Sequence, residues 1–410
     1  MHIKEILIEV AEEETRVAIL EGRSLIEVYF ERREERSIVG NIYLGRVQNV
    51  LPGMEAAFVD IGEGRNAFLS VDDVTPIGEE VEDFPSKGKF SLKPNQTLLV
   101  QVTRAPTNSK GARLTTQIAI PSRYLVLVPK RDFVGISRRI EGKERERLSA
   151  LAGEIKPEKM GVIVRTAAEG EGKLTLLGDL SYLKSLWERI QAEAEISKPA
   201  SVVYVEKDLP LRVIRDVFTR EFRRILVNSR DKYEEIRSYL GEIDPYLTRS
   251  VHLYRGKESP FKKYNIDGQI REALKPRIWL RSGGHIVIEE AEALTAIDVN
   301  TGKYVGRVSL EKTILKTNLE AVHEIGRELR LRDIGGIIVI DFINMEDPRN
   351  REKVLQAFTE VLEEDRAKTE VIELSRLGLL EMTRKSFTPG LREYFTRTCP
   401  QCEGKGFIPK

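Results

Sequence analysis

Two cysteines, four histidines and two tryptophans are all that 410 residues hold of these types. Each scarcity excludes something. A pair of thiols, Cys399 and Cys402, cannot build a disulfide framework, and such sparing use of cysteine points to a reducing compartment. The histidines, His2, His252, His285 and His323, stand apart in no paired spacing. That argues against acid–base chemistry by a histidine pair and against a zinc site with two histidines. No Gly-rich loop of the Walker type occurs, so phosphate is not cradled as in a P-loop enzyme. Nowhere do about eighteen apolar residues run together, and the opening residues Met1 to Ile6 lack a basic region leading into an apolar stretch. A soluble, cytoplasmic protein is therefore the expectation. Net charge is scarce as well: Lys plus Arg number 66 and Asp plus Glu 65, so a polyanionic partner must be held by local clusters. At this length two to four domains are expected.

The sequence is rich in pattern. Residues 293–298 and 337–341 are two apolar, largely β-branched runs that finish on Asp298 and Asp341, one helix apart in the chain. Such runs read as buried strands, whose ends point into the crevice where layered α/β folds bind ligands. Neighbouring strands would bring both carboxylates together, and two like charges that close require a shared proton or a cation. Oxygen-only ligands favour Mg²⁺ or Mn²⁺. The plainer alternative is that one Asp caps the helix or turn that follows. Asn300 stands at i+2 from Asp298, on the same side of an extended chain, where it could orient a phosphate or a water. A divalent ion on Asp298 and Asp341 would acidify its water and neutralise charge on a phosphoryl oxygen, as phosphodiester hydrolysis requires. Hydrolysis so driven leaves a 3′-hydroxyl and a 5′-phosphate, with no need of a ribose 2′-hydroxyl.

Along the chain, residues 3–30 alternate apolar and polar and read as a small antiparallel meander. Short strands at 41–50, 56–61, 67–69 and 98–102, with a polar insertion at 76–94, suggest a small five-stranded barrel. A third block, 124–180, mixes strands at 124–128 and 161–165 with a charged stretch at 137–147. Helices are expected from about Tyr182, among them 213–226, whose apolar residues fall on one face. After Leu280 the pattern becomes strand, strand, long helix at about 309–331, strand ending at Asp341, and a helix opened by Asp347-Pro348. Gly335-Gly336 releases the chain from the long helix.

Three further constellations carry chemistry. Cys399-Pro400-Gln401-Cys402 has the knuckle spacing with which two thiolates grip one zinc; it is half a site, and a twofold dimer would complete it. The alternative is a pair of free or redox-active thiols. In the barrel, Phe58 and Phe68 lie on neighbouring strands with Lys110 in a later turn, a surface able to stack bases and hold phosphates, although a strand Phe is commonly core. The strand 161–164 runs into Arg165 and Thr166, a fork donor beside a hydroxyl, which suits a terminal phosphate. A surface ion pair is the competing reading of Arg165.

These elements, in this order, resemble the catalytic half of the bacterial ribonuclease E/G family. The resemblance runs through almost the whole chain and is strongest at residues 41–46, 55–60, 135–140, 161–166, 318–321, 329–336 and 378–384. It implies a multidomain α/β fold: a ribonuclease H-like subdomain (1–38 and 210–275), an inserted S1 (OB) barrel (39–119), a 5′-monophosphate sensor (120–209), a deoxyribonuclease I-like catalytic domain (276–396) and a zinc link (397–410). By resemblance Asp298 and Asp341 hold Mg²⁺, Asn300 assists, Phe58, Phe68 and Lys110 contact RNA, Arg165 and Thr166 hold the 5′-phosphate, and Cys399 with Cys402 share Zn²⁺ with a second subunit. The implied activity is Mg²⁺-dependent hydrolysis of single-stranded RNA in processing and decay, stimulated by a 5′-monophosphate end. A non-catalytic S1-type RNA-binding regulator and a nuclease acting on DNA are the competing classes. One position departs from the family pattern: Lys368 stands where an Arg is usual. Family members usually carry a small domain after the zinc link that aids tetramer formation, whereas this sequence ends eight residues beyond Cys402. A homodimer is expected and the tetramer is left open.

Overall fold

The computed structural model describes residues 3–70, 73, 92–106, 110–219, 221–302, 310–375, 378–386, 390–402, 404, 406 and 408. Residues 76–91 of the expected polar insertion lie outside this set. By its contacts the chain divides into two units, Ile8–Val17 with Phe30–Arg255, and Met1–Leu7 with Ala18–Tyr29 and Gly256–Lys410.

In the first of these units five strands, Ile42–Leu51, Ala56–Asp60, Ala67–Ser70, Arg113–Thr115 and Thr97–Arg104, pair in that order and close on themselves. Closure removes the sheet edges that a small all-β domain would otherwise expose. Tyr43, Val47, Val59, Leu69, Val100 and Leu114 fill the interior. The barrel legible in the sequence is present, and its topology is compatible with an OB-like fold. Beside it in sequence, Val134–Ile136, Met160–Val164, Leu125–Pro129 and Ile120–Pro121 form a four-stranded sheet.

Two expectations for this stretch are corrected. Helices begin well before Tyr182: the charged segment at 137–147 runs into Gly142–Ile155, and a second helix spans Lys173–Ile196. Residues 142–155 are rich in Glu, Lys, Arg, Leu and Ala, all strong helix formers, and Leu148, Ala152 and Ile155 supply the buried stripe at i, i+4 and i+7. The helix read over 213–226 is in fact two elements. Leu209–Val217 is helical, whereas Phe222–Val227 is a strand parallel to Val251–Leu253. A short apolar run cannot be assigned by periodicity alone, and here a sheet neighbour buries Ile225, Leu226 and Val227 completely or nearly so. The expected N-terminal meander is found as Lys4–Val10, Glu14–Glu21 and Ser24–Arg32, in a five-stranded sheet with Phe222–Val227 and Val251–Leu253.

In the other unit six strands lie in the order Arg277–Trp279, His285–Glu290, Leu294–Asn300, Gly336–Asp341, Leu379–Arg384 and Thr369–Leu374. Leu294–Asn300 and Gly336–Asp341 are parallel, and the other described pairs antiparallel. A parallel pair needs a crossover, which the helix Leu310–Arg332 supplies. Asp347 caps the next helix, Pro348–Glu363, by accepting from Arg349 N at 2.9 Å, with proline at the first helical position. Ile286, Ile288, Ile297, Val299, Ile338, Ile340, Leu380 and Met382 pack against Ala321, Val322, Ile325, Leu329, Val354 and Phe358. Because strand side chains alternate, burying that face turns Asp298 and Asp341 outward on the opposite one.

Candidate metal centre and nucleic-acid interface

Asp298 and Asp341 are direct Cα partners across the parallel pair, and both are exposed on the open face. Adjacent strands run about 4.8 Å apart, so the two carboxylates stand side by side. Asp341 ends its strand, as expected, while Asp298 lies two residues inside its own. Neither caps a helix; Asp347 does that for the helix after Asp341. Asn300 is on the same face and donates from Nδ2 to Asp298 Oδ2 at 2.6 Å. Among the described residues neither carboxylate has a cationic partner.

A buried side chain that sequence reading passed over holds one strand end in place. Asn318 in the crossover helix is fully buried, donates to Ile343 O at 2.8 Å and accepts from Ile343 N at 3.1 Å. The amide thus mimics a strand neighbour for the backbone two residues past Asp341. Lys368 is exposed, and the half-buried arginine nearby is Arg366, bonded to Glu27 and Tyr29. Burial works to raise the Glu27 pKa, but Arg366 and Arg330 outweigh it and hold that carboxyl down at about 2.

On the barrel, Phe58 and Phe68 face outward and are half-buried, not part of the interior. They are Cα partners, with ring centroids 6.2 Å apart in an edge-to-face arrangement. Lys110 is exposed in the turn that leads to Arg113, the Cα partner of Phe68. That turn requires glycine at 111, where a Cβ would come 2.2 Å from Asn66 O.

Arg165 and Thr166 follow the strand Met160–Val164. Arg165 donates to Ser122 O and to Asp216 Oδ1, each at 2.6 Å, so the competing ion-pair reading is realised. Three of the five guanidinium N–H groups stay unclaimed among the described residues. Thr166 Oγ1 lies 2.9 Å from Ser137 Oγ. Asp216 in turn accepts from Arg215, and Arg215 donates to Glu206 at 2.9 Å. Burial tends to raise the Asp216 pKa, yet Arg215 and Arg165 prevail and keep it below the usual carboxylate range. Behind this chain of charges Asp179 is wholly buried; it accepts from Ser122 Oγ at 2.5 Å, Tyr124 N at 3.0 Å and Leu125 N at 2.9 Å. Burial pushes its carboxyl up to about 6, against these hydrogen bonds and Arg165. Asp179 and Asp216 escaped the sequence reading, although Asp179 is a lone carboxylate among the buried Leu176, Leu180, Tyr182 and Leu183 of its helix.

Cys399 is exposed and Cys402 half-buried in one turn. Backbone N–H groups of Cys402 and Gln401 point at the Cys399 sulfur and lower its pKa, as suits a thiolate. Among the described residues no three His, Cys, Asp or Glu side chains cluster as a metal site, so each candidate site has two such ligands from this chain.

Fold and geometry define a mixed α/β protein with a closed β-barrel and a separate α/β layer that presents paired carboxylates on an open sheet. Residues 119–387 match the ribonuclease E/G family. Over 411 residues the chain is 43% identical to ribonuclease G of Escherichia coli (strain K12), covering 98% of this chain and 84% of that protein. It is 42% identical to ribonuclease G of Haemophilus influenzae, over 100% of this chain and 84% of that protein. With ribonuclease E of Nostoc sp. it shares 44% identity, over 90% of this chain and 54% of that protein. The chain belongs to the ribonuclease E/G family. Among the described residues no helix is long and apolar enough to cross a membrane.

Proposed function

We propose that this family member is a Mg²⁺-dependent endoribonuclease of the cytoplasm that hydrolyses single-stranded RNA in processing and decay and is stimulated by a 5′-monophosphate end. Family membership and relatives named ribonuclease G and ribonuclease E support an enzyme that cuts RNA internally. The observation that carries the metal reading is the register of Asp298 opposite Asp341 on an exposed face. Four carboxylate oxygens without a cationic partner among the described residues make a donor set suited to a hard divalent ion, and these two residues would hold it. Bound there, Mg²⁺ supplies charge neutralisation and an acidified water. Asn300, steadied by its bond to Asp298, keeps its carbonyl oxygen and second N–H for the phosphate or the water. Products are a 3′-hydroxyl and a 5′-phosphate.

In this reading the barrel (39–119) is an S1 domain whose Phe58, Phe68 and Lys110 track RNA, and residues 120–209 form the sensor, with Arg165 and Thr166 on the terminal phosphate. Residues 1–38 and 210–275 make the ribonuclease H-like subdomain, and 276–396 the deoxyribonuclease I-like catalytic domain. Cys399 and Cys402 (397–410) share Zn²⁺ with a second copy and so form a homodimer, from which a tetramer could be built. The test is Asp298→Asn and Asp341→Asn. Each should reduce cleavage by on the order of 10²–10³ while RNA binding changes little. Unchanged cleavage would instead fit a non-catalytic RNA-binding regulator, and equal cutting of single-stranded DNA would fit a nuclease of broader substrate.

A further inference from the structure

One side chain on the carboxylate face is conspicuously unsheltered. Trp279 is 65% exposed, and it belongs to the same sheet as Asp298 and Asp341. Its strand alternates: Ile278 packs on the core while Arg277 and Trp279 turn to the open side. Register then places it. Trp279 is the Cα partner of His285, and His285 is the Cα partner of Asn300. The next row on the same face runs Arg277, Val287, Asp298, Asp341. With strands about 4.8 Å apart, Trp279 lies about 10 Å from Asn300 along the row, within the span of an extended dinucleotide. The indole and imidazole are already paired, with centroids 5.2 Å apart. His285 Nδ1 is buried with no hydrogen-bond partner among the described residues, and Arg277 is exposed with no carboxylate partner there.

We propose that Trp279 and His285 form a base-stacking platform for the nucleotide adjoining the phosphate engaged at Asp298 and Asp341, with Arg277 beside it to meet that nucleotide's backbone. The inference rests on the metal reading above. A large exposed aromatic flanked by an unpaired cation is the combination that grips single-stranded nucleic acid, because every base has a stackable face and every link a phosphate. Such stacking would keep the strand at a fixed distance from the carboxylates without reading the base edge.

The test uses the full chain and its own fluorescence. Only Trp187 and Trp279 are present, and Trp187 is 3% exposed, so Trp279→Phe serves as the blank for the exposed indole. In stopped flow before turnover, an unpaired ten-nucleotide RNA should quench Trp279, and an abasic strand of equal length should not. Trp279→Ala should lower kcat/KM by about tenfold, with Trp279→Phe and Trp279→Tyr recovering most of it and the melting temperature unchanged. Equal quenching by the two strands, or an unaltered kcat/KM in Trp279→Ala, would overturn the platform. Failure of the metal reading looks different: Asp298→Asn would cut at the parent rate while the base-dependent quench persisted.

Discussion

Replacing Asp179 by Asn tests the electrostatic reasoning behind the proposed sensor. The folded-state pKa of this carboxyl is about 6 against an ordinary 3.8, so between those values the folded chain binds a proton that the unfolded chain has released. Stability is therefore largest below the unfolded pKa and falls as pH rises through the folded one. A difference of about two units corresponds to about 3 kcal/mol lost between pH 4 and pH 7. Asparagine has the same shape and no charge. Its Oδ1 can accept from Tyr124 N and Leu125 N together, as Asp179 Oδ2 does, while its Nδ2 can donate to Ser122 Oγ. Asp179→Asn should then be nearly neutral at pH 4 and stabilising by about 3 kcal/mol at pH 7. Urea unfolding of both chains in half-unit steps from pH 4 to pH 8 gives the difference curve directly. A flat difference, or an Asn variant less stable at pH 7 than at pH 4 relative to the parent, would refute the account of Asp179 as a charge buried at a cost.

Three further outcomes are expected. Arg165→Ala should slow cleavage of 5′-monophosphorylated RNA by about tenfold or more, the scale of a lost charge-assisted hydrogen bond, and affect 5′-hydroxylated RNA far less; equal losses would mean general phosphate tracking. Phe58→Ala and Phe68→Ala should each weaken binding of unpaired RNA by about 1–3 kcal/mol with the barrel still folded, since neither ring belongs to the interior. An unchanged affinity would leave the pair as surface packing. Metal analysis should give about one zinc per two chains, and Cys399→Ser should yield monomers by light scattering; no zinc, or an unaltered dimer, would remove the shared link.

What could be read from residues alone divides along a physical line. Local patterns were legible: the apolar runs ending at Asp298 and Asp341, the Asp347-Pro348 helix start and the barrel strands are set by periodicity and turn chemistry within a few residues. The face shared by Asn300 and Asp298 was legible too, because two residues of an extended chain must point the same way. Failure came where a distant partner decides. Phe222–Val227 carries enough apolar residues for a helix or a strand, and only its sheet neighbours Val251–Leu253 settle which.

The same limit hides the partners of Arg165. Ser122 and Asp216 stand 43 and 51 residues away in sequence, so no spacing rule links them. Their placement changes how the proposed sensor would work. A guanidinium already paired with Asp216 offers a phosphate less net positive charge than a free one, so binding there depends on geometry. Donors left over after Ser122 and Asp216 are satisfied would have to converge on the ligand, and the Thr166 hydroxyl can join them when Ser137 Oγ is the donor of their shared bond. Asp216→Ala tests this directly, because it removes the acceptor together with the charge. Releasing the pair should strengthen binding of inorganic phosphate, for want of a competing charge, yet weaken the preference for a 5′-monophosphate end, because Arg165 loses the contact that aims it. If both rise together, Asp216 is only a competitor and has no orienting role.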